Sequence, residues 1–163
     1  MTGPFKINEQ RQVVGVYIDA RRKLHGFSWD DGMYTTIDVP GAKSTSVLGI
    51  NNRGQMVGFY IDADGAYHGF LRDKRGAVTT LPQAPGADPM MGGTVPTSIN
   101  DHGQIVGAAN DAQGGSRGFL LERGVFTMID GTAAAAYTRA VDINNHGQIV
   151  GDYATRTSTS ARP

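Results

Sequence analysis

Short hydrophobic stretches alternate with turns rich in glycine and asparagine, and one such stretch occurs four times along the chain. Its clearest copy covers residues 50–62, with the sequence INNRGQMVGFYID, and the other copies begin at Ile7, Ile99 and Ile143. A glycine stands near the middle of every copy, at intervals of 43, 49 and 44 residues: Gly15, Gly58, Gly107 and Gly151. Intervals of this size are typical of propeller blades and other stacked repeats. The pattern therefore predicts a repeat protein in which each copy marks one unit.

Each unit is predicted to contain four short strands joined by tight turns. In the second unit the strands are predicted over residues 46–51, 55–62, 66–72 and 77–81. The segments between them are rich in asparagine, aspartate and glycine, which tolerate the backbone conformations of hairpin turns. The first and third units fit the same frame. Consecutive strands joined in this way form an antiparallel meander, so the sequence predicts an all-β protein.

The second strand of each unit carries apolar side chains on both faces. The first unit shows this around Gly15: Val13, Val14, Val16, Tyr17 and Ile18. A sheet with two apolar faces needs neighbours on both sides, which the packing of small sheets around an axis supplies. A glycine within such a strand lets a neighbouring backbone or a large ring approach closely. The units are therefore predicted to be blades of a β-propeller.

The number of units does not match a closed ring. The units are predicted over residues 5–44, 45–93, 94–137 and 138–153, and residues 154–163 are predicted to form a flexible tail. The fourth unit stops after its second strand, whereas closed propellers have typically about four to eight complete blades. The chain is therefore predicted either to be part of a longer repeat protein or to complete its sheets by association. A β-trefoil is the alternative fold, but it leaves the fourth copy of the repeated phrase unexplained.

Three recurring motifs resemble the HAF repeat of bacterial proteins. They are the phrase Ile-Asn-x-x-Gly-Gln-x-Val-Gly and two triplets, His-Gly-Phe and Pro-Gly-Ala, which stand at residues 25–27, 68–70, 40–42 and 85–87. The likeness extends from Phe5 to about Tyr153 and implies an extracellular repeat protein with no assigned activity. Arg11 replaces the turn glycine of the other units, and Arg117 replaces the histidine. The resemblance therefore does not imply a function that requires every copy of the motif.

Composition and charge exclude several classes of function. Glycine contributes 23 of the 163 residues, as expected for many tight turns. The 15 basic and 15 acidic residues form no basic patch, so neither nucleic acid nor a membrane is predicted as a partner. Without cysteine the chain has no disulfide and no thiolate metal site. Residues 1–5 lack the apolar run of a signal peptide, so we expect either a cytoplasmic protein or a piece without its export signal.

Three aromatic side chains are candidates for binding a ligand. His25 and His68 occupy the same position in two units, where an imidazole could bind a metal or act as a base. A residue that the repeat fixes at one position usually serves packing or a hydrogen bond, and this interpretation is favoured. Trp29 is the one tryptophan of the chain and is the better candidate for a surface that stacks on a sugar.

The asparagines of the repeated phrase are the remaining candidates. Asn51, Asn100 and Asn144 open the turn after the first strand, where asparagine bonds to its own backbone. We therefore expect them to set the turn geometry rather than to bind sugar. Asp62 and Asp64 resemble the start of a calcium loop, but the further oxygen ligands and the terminal glutamate are missing. Neither a metal site nor a cofactor is predicted.

No sequence motif of a catalytic site is found. The chain has no Gly-x-Ser-x-Gly elbow, no His-Glu-x-x-His helix and no phosphate loop. The sequence therefore predicts a non-catalytic binding or scaffold module that forms homo-oligomers and binds a protein or a saccharide. Two alternatives remain open, a lectin with sites between blades and a fragment of a propeller-type hydrolase or lyase.

Overall fold

The computed structural model describes residues 2–131 and 135–155 of the chain. These residues form β-strands joined by short turns, with a single turn of 3₁₀-helix at Pro89–Met91 and no α-helix in the described ranges. The predicted all-β class is therefore confirmed. No helix within these ranges has the length and hydrophobicity that crossing a membrane would require.

The first two units are four-stranded antiparallel sheets in chain order. Unit one consists of β1 (Thr2–Ile7), β2 (Val13–Ile18), β3 (Leu24–Asp30) and β4 (Met33–Ile37). Unit two consists of β5 (Ser44–Ile50), β6 (Met56–Ile61), β7 (Tyr67–Arg72) and β8 (Val78–Thr80). The predicted meander is confirmed, and its strand ends lie close to the predicted ones.

The third sheet contains unit three and the first two strands of unit four. Unit three consists of β9 (Thr94–Ile99), β10 (Ile105–Asn110), β11 (Ser116–Glu122) and β12 (Val125–Ile129). Unit four consists of β13 (Ala135–Ile143) and β14 (Ile149–Thr155), which pair as an antiparallel hairpin. One parallel pair, Ser116 with Tyr137, joins β11 to β13.

The strand β14 includes Ala154 and Thr155, which were predicted to belong to the tail. The rest of that predicted tail, residues 156–163, lies outside the described residues. The described strands form open sheets rather than a closed barrel. The propeller and trefoil arrangements therefore stay predictions.

The second-strand glycines allow a close approach between the first two strands of each unit. The register of β5 against β6 shifts between Val47 and Gly49, which marks a β-bulge opposite Gly58. A Cβ atom on Gly58 would overlap the backbone carbonyl of Ser46. The prediction that these glycines accommodate a neighbouring backbone is confirmed, and that backbone belongs to the first strand of the same unit.

The units stack through their first strands. β5 packs on β2 and β3, β9 packs on β6 and β7, and β13 packs on β10 and β11. The glycine of the His-Gly-Phe triplet makes room for this contact, because a Cβ on Gly26 would lie 2.6 Å from Cγ2 of Val47. Hydrophobic cores fill the spaces between successive units. Consecutive first strands also contact each other, in the order β1, β5, β9 and β13. All four line one space, and we call the line through this space the axis.

Candidate functional site

One side chain from each unit lines a cavity of about 280 Å³ where the four first strands meet. Each of these side chains belongs to the bulge residue of its strand: Phe5, Leu48, Thr97 and Val141. A bulge inserts one extra residue and redirects its side chain, which explains why the same position in every unit reaches this place. Lys6 and Asp142 complete the lining, and we call this space the axial cavity.

A charged pair crosses the axis beside this cavity. Lys6 Nζ donates a hydrogen bond of 2.5 Å to Asp142 Oδ1, and Ser98 Oγ donates one of 2.6 Å to the same oxygen. Partial burial by itself would raise the pKa of Asp142, but the hydrogen bonds from Lys6 and Ser98 hold it below its usual value. The carboxylate is thus ionised at neutral pH, and it ties unit one to units three and four.

Asp142→Asn is expected to lower the free energy of unfolding at pH 7 by about 1–3 kcal/mol, because Lys6 loses its charged acceptor. The pKa of Asp142 is lower in the folded than in the unfolded state, so its contribution is full above the unfolded pKa. The contribution is lost as the pH falls through the folded pKa. The difference between wild type and variant should therefore shrink below about pH 4 in urea titrations.

The exposed pair of Arg139 and Asp152 provides the control for this prediction. Asp152→Asn should change the free energy of unfolding by less than about 1 kcal/mol, because water screens an exposed pair. A difference between wild type and Asp142→Asn that stays constant from neutral to acid pH would contradict the assignment of the stabilisation to the carboxylate.

The repeated asparagines set the geometry of the turn after each first strand. Asn51 Oδ1 accepts hydrogen bonds of 3.0 Å from the backbone N–H groups of Arg53 and Gln55. Asn100 and Asn144 accept the corresponding bonds in their units. The predicted role of these asparagines in the turn is therefore confirmed.

The amides of these asparagines also join the units to one another. The Nδ2 group of each asparagine donates to the backbone carbonyl of the next, at 3.1, 2.9 and 3.0 Å along the series Asn8, Asn51, Asn100 and Asn144. A second row runs beside it, in which each backbone N–H donates to a side-chain oxygen of the next residue: Glu9, Asn52, Asp101 and Asn145. Both rows run from each unit to the following one, and together we name them the asparagine ladder.

The candidate asparagines differ in how many of their amide hydrogens are bonded within the protein. Asn51 and Asn100 are buried, and each uses both amide hydrogens, one within its turn and one toward the next unit. Asn144 is exposed and donates one hydrogen bond, to Gln148. A sugar hydroxyl at Asn51 or Asn100 would have to displace a bond within the protein. The ligand-binding role of the three asparagines stays a prediction.

The two candidate histidines each contact a tyrosine and a carboxylate. His25 stacks on Tyr17 with ring centroids 4.9 Å apart, and its Nδ1 lies 2.8 Å from Asp38. His68 stacks on Tyr60 at 5.0 Å, and its Nε2 lies 2.7 Å from Asp62 Oδ2.

His68 in unit two also lowers the pKa of Asp62, the carboxyl group that it contacts. The hydrogen bond from His68 is the main cause that holds the pKa of Asp62 below its usual value, and the backbone N–H of Ala66 adds to it. In unit three Arg117 stands in place of the histidine, and its guanidinium donates to Asp130, which corresponds to Asp38 of unit one, with bonds of 2.7 and 2.9 Å. His25, His68 and Arg117 thus each bond a carboxylate. This agrees with the favoured interpretation, that the residue at this position of the repeat serves packing or a hydrogen bond.

Trp29 and the histidines do not lie together. Trp29 is half-buried on β3 opposite Val13, next to the turn that Asn8 opens, whereas His25 lies opposite Tyr17 near the other end of the same strand. The structure therefore brings the asparagines into one row but does not bring His25, His68 or Trp29 to them. Within the described ranges, no group of three histidine, aspartate or glutamate side chains is placed to hold a metal ion.

The axial residues were missed in the sequence, although a signal for them exists. The residue before each Ile-Asn phrase differs in every unit within an otherwise repeated stretch: Lys6, Gly49, Ser98 and Asp142. A position that varies between units inside a constant motif indicates that the units are not equivalent there. The structure shows that the first, third and fourth of these residues meet at the axis.

Comparisons with known proteins do not assign a family to the chain. No model of a protein family matches it. No curated protein matches it with significance. The resemblance to the HAF repeat therefore rests on the recurring residues alone and stays a prediction.

Proposed function

We propose that this chain is a non-catalytic binding or scaffold module, built of propeller-type blades, that associates with protein chains of its own kind. One observation carries the proposal. β14 pairs with β13 on one side only within the described residues, whereas β2, β6 and β10 each lie between two strands. An unpaired strand edge offers a row of backbone donors and acceptors to another chain. Within the described residues, the outer edge of β14 is thus available for association.

The stacking of the units supports the propeller arrangement. Three first strands, β5, β9 and β13, pack on the middle strands of the preceding unit, and the four bulge residues face one axis. Blades that surround an axis with their first strands innermost show this pattern of contacts. The Lys6–Asp142 bond supports a curved arc, because it brings the first and fourth units together at the axis.

The chemistry of the axial cavity supports a role without catalysis. The one hydroxyl bonded to Asp142 belongs to Ser98, which is buried, and it donates its proton to a carboxylate already held by Lys6. A nucleophile needs a base that can accept its proton and access to a substrate, and a carboxylate with a lowered pKa is a weak base. The arrangement serves as a polar link between units.

A saccharide is the second candidate ligand, and one pocket favours it. A cavity of about 230 Å³ on unit one is lined by the rings of Tyr17, Phe27 and Tyr34 and by three threonines, Thr2, Thr35 and Thr36. Aromatic faces beside hydroxyl groups suit a sugar ring. In unit two the corresponding Phe70 and Tyr60 pack against unit one. A saccharide would therefore find a single site of this kind rather than one at every unit.

Light scattering on a sizing column, over a wide range of protein concentration, tests self-association. The mass of the wild-type chain is expected to rise above that of the monomer as the concentration increases, because association depends on mass action. Circular dichroism on the same samples should show β-structure throughout. A folded chain that stays monomeric at every concentration would contradict the proposed function.

A further inference from the structure

The same valine faces the following unit in every repeat. Val14, Val57 and Val106 each lie in the core between their own unit and the next, and each is 0% exposed. Val150 occupies the same place in unit four, and 62% of its surface is exposed. The face of unit four that carries Val150, which we name the tail face, therefore has no neighbour within the described residues.

The opposite face of each unit carries an isoleucine that meets the preceding unit. Ile50, Ile99 and Ile143 lie in the same cores and are 3, 2 and 6% exposed. Ile7 holds this position in unit one and is 61% exposed, and Tyr34 on the same side is 70% exposed. We name this surface the head face. Apolar surface of this kind is buried at every junction between units but uncovered at the start of the stack.

The asparagine ladder is also open at its two ends. The amides of Asn51 and Asn100 donate to the next unit, but the amide of Asn144 has one donor hydrogen without a described acceptor. The carbonyls of Asn51, Asn100 and Asn144 each accept a side-chain amide. The carbonyl of Asn8 accepts the backbone N–H of Arg11 and no side-chain amide from the described residues. Among the described residues, the tail face thus has an amide hydrogen without an acceptor, and the head face has a carbonyl that accepts no side-chain amide.

Glu9 gives the head face an acceptor for the second row of the asparagine ladder. The backbone N–H of residues 9, 52 and 101 donates to an amide or carboxylate oxygen of the following unit. Asn145 is next in this row, and the residue at the head face that corresponds to its acceptor is Glu9. A carboxylate is a strong acceptor for a backbone N–H.

We propose that the tail face of one molecule binds the head face of a second copy of this chain. Val150 then packs against Ile7 of the second copy, Asn144 donates to the carbonyl of its Asn8, and Asn145 donates to its Glu9. The contact is proposed to have the geometry of the three junctions between units inside the chain. This inference rests on the proposed self-association and gives it an orientation. Because the two faces differ, the contact is heterologous and builds a ring or a filament rather than a two-fold dimer.

The Lys6–Asp142 pair is retained in such an assembly. Ser98 and Asp142 are neighbours at the same position of successive units and are hydrogen-bonded. Lys6 of the same molecule bonds Asp142 in the structure, so Lys6 of a second copy takes this place when the bond within the molecule opens. The Lys6–Asp142 bond then joins two molecules instead of two units of one molecule. Association therefore does not leave the Asp142 carboxylate without its cation.

Two single substitutions and their mixture test the orientation. Val150→Asp places a charge on the tail face, and Ile7→Asp places one on the head face, which should weaken association at least about 100-fold. Each variant alone should be monomeric by light scattering, because one of its two faces is blocked. An equimolar mixture should form a dimer and nothing larger, because each variant supplies the intact face that the other lacks. The double variant should stay monomeric in every mixture.

Val125→Asp is the matched control, since Val125 is 66% exposed on β12 and lies on neither face. It should assemble like the wild type. The variants are expected to fold, because both sites are exposed in the single molecule, and Val150→Lys with Ile7→Lys gives a second pair.

The possible failures are distinguishable from one another. A wild-type chain that is always monomeric overturns both this inference and the proposed function. Single variants that still assemble, or a mixture that stays monomeric while the wild type assembles, overturn the head-to-tail orientation and leave self-association standing.

Discussion

Gly58→Ala is expected to lower the free energy of unfolding by more than about 3 kcal/mol. A Cβ atom at this position would overlap the carbonyl of Ser46 and lie 3.0 Å from the Cα atom of Val47. Both are backbone atoms of β5, which is held between β6 and the sheet of unit one, so neither can move aside cheaply. Urea titration followed by circular dichroism measures the loss.

Gly65→Ala is the control for the substitution at Gly58. Gly65 has a positive φ of 95° in a turn, and nothing lies within 4 Å of the place its Cβ would take. The control therefore suffers only the cost of a side chain in a left-handed conformation, about 1–2 kcal/mol. Equal losses at the two positions would show that the overlap with β5 is relieved by a small shift of the backbone.

Asn51→Ala is expected to lower the free energy of unfolding by about 3 kcal/mol. The substitution removes two acceptor bonds to the turn backbone and two donor bonds, to Gln55 and to the carbonyl of Asn100. The site is buried, so water cannot replace these partners readily. Chemical denaturation of the wild type and the variant gives the difference directly.

Asn144→Ala separates the part of this effect that comes from the junction between units. Asn144 makes the same bonds within its turn, but its amide donates to no described unit beyond it, and it is exposed. Its replacement should cost about 1 kcal/mol, measured at a concentration where the protein is monomeric. If Asn144→Ala proved as harmful as Asn51→Ala, the ladder between units would contribute nothing measurable.

The secondary structure could be predicted because local chemistry determines it. In unit two the turns of asparagine, aspartate and glycine separate short apolar runs, and the observed strands Ser44–Ile50, Met56–Ile61 and Tyr67–Arg72 follow those runs. The Asn51 turn could be predicted for the same reason, since its hydrogen bonds reach only two and four residues along the chain. The use of Gly58 as a point of close approach followed from its place within an apolar strand.

The contacts across the axis could not be predicted from local patterns. Lys6 and Asp142 are separated by 136 residues, and their contact depends on how four first strands are arranged around one line. The bulge residues share a position but differ in size, and Thr97 is polar where Phe5, Leu48 and Val141 are apolar, so no single residue type marks the position. The bonds of the ladder also depend on the stacking of units, although the asparagines themselves recur visibly.

The direction of the asparagine ladder has a consequence for folding during synthesis. The amides of Asn8, Asn51 and Asn100 donate forward, each to the unit that leaves the ribosome after its own. One amide hydrogen of Asn8 bonds Gln12 within unit one, and the other gains its acceptor when the turn at Asn51 has formed. A nascent chain gains these bonds one junction at a time, from the N-terminus onward, in the order in which units are produced. Among the four described units, unit four is therefore the last to be joined by these bonds.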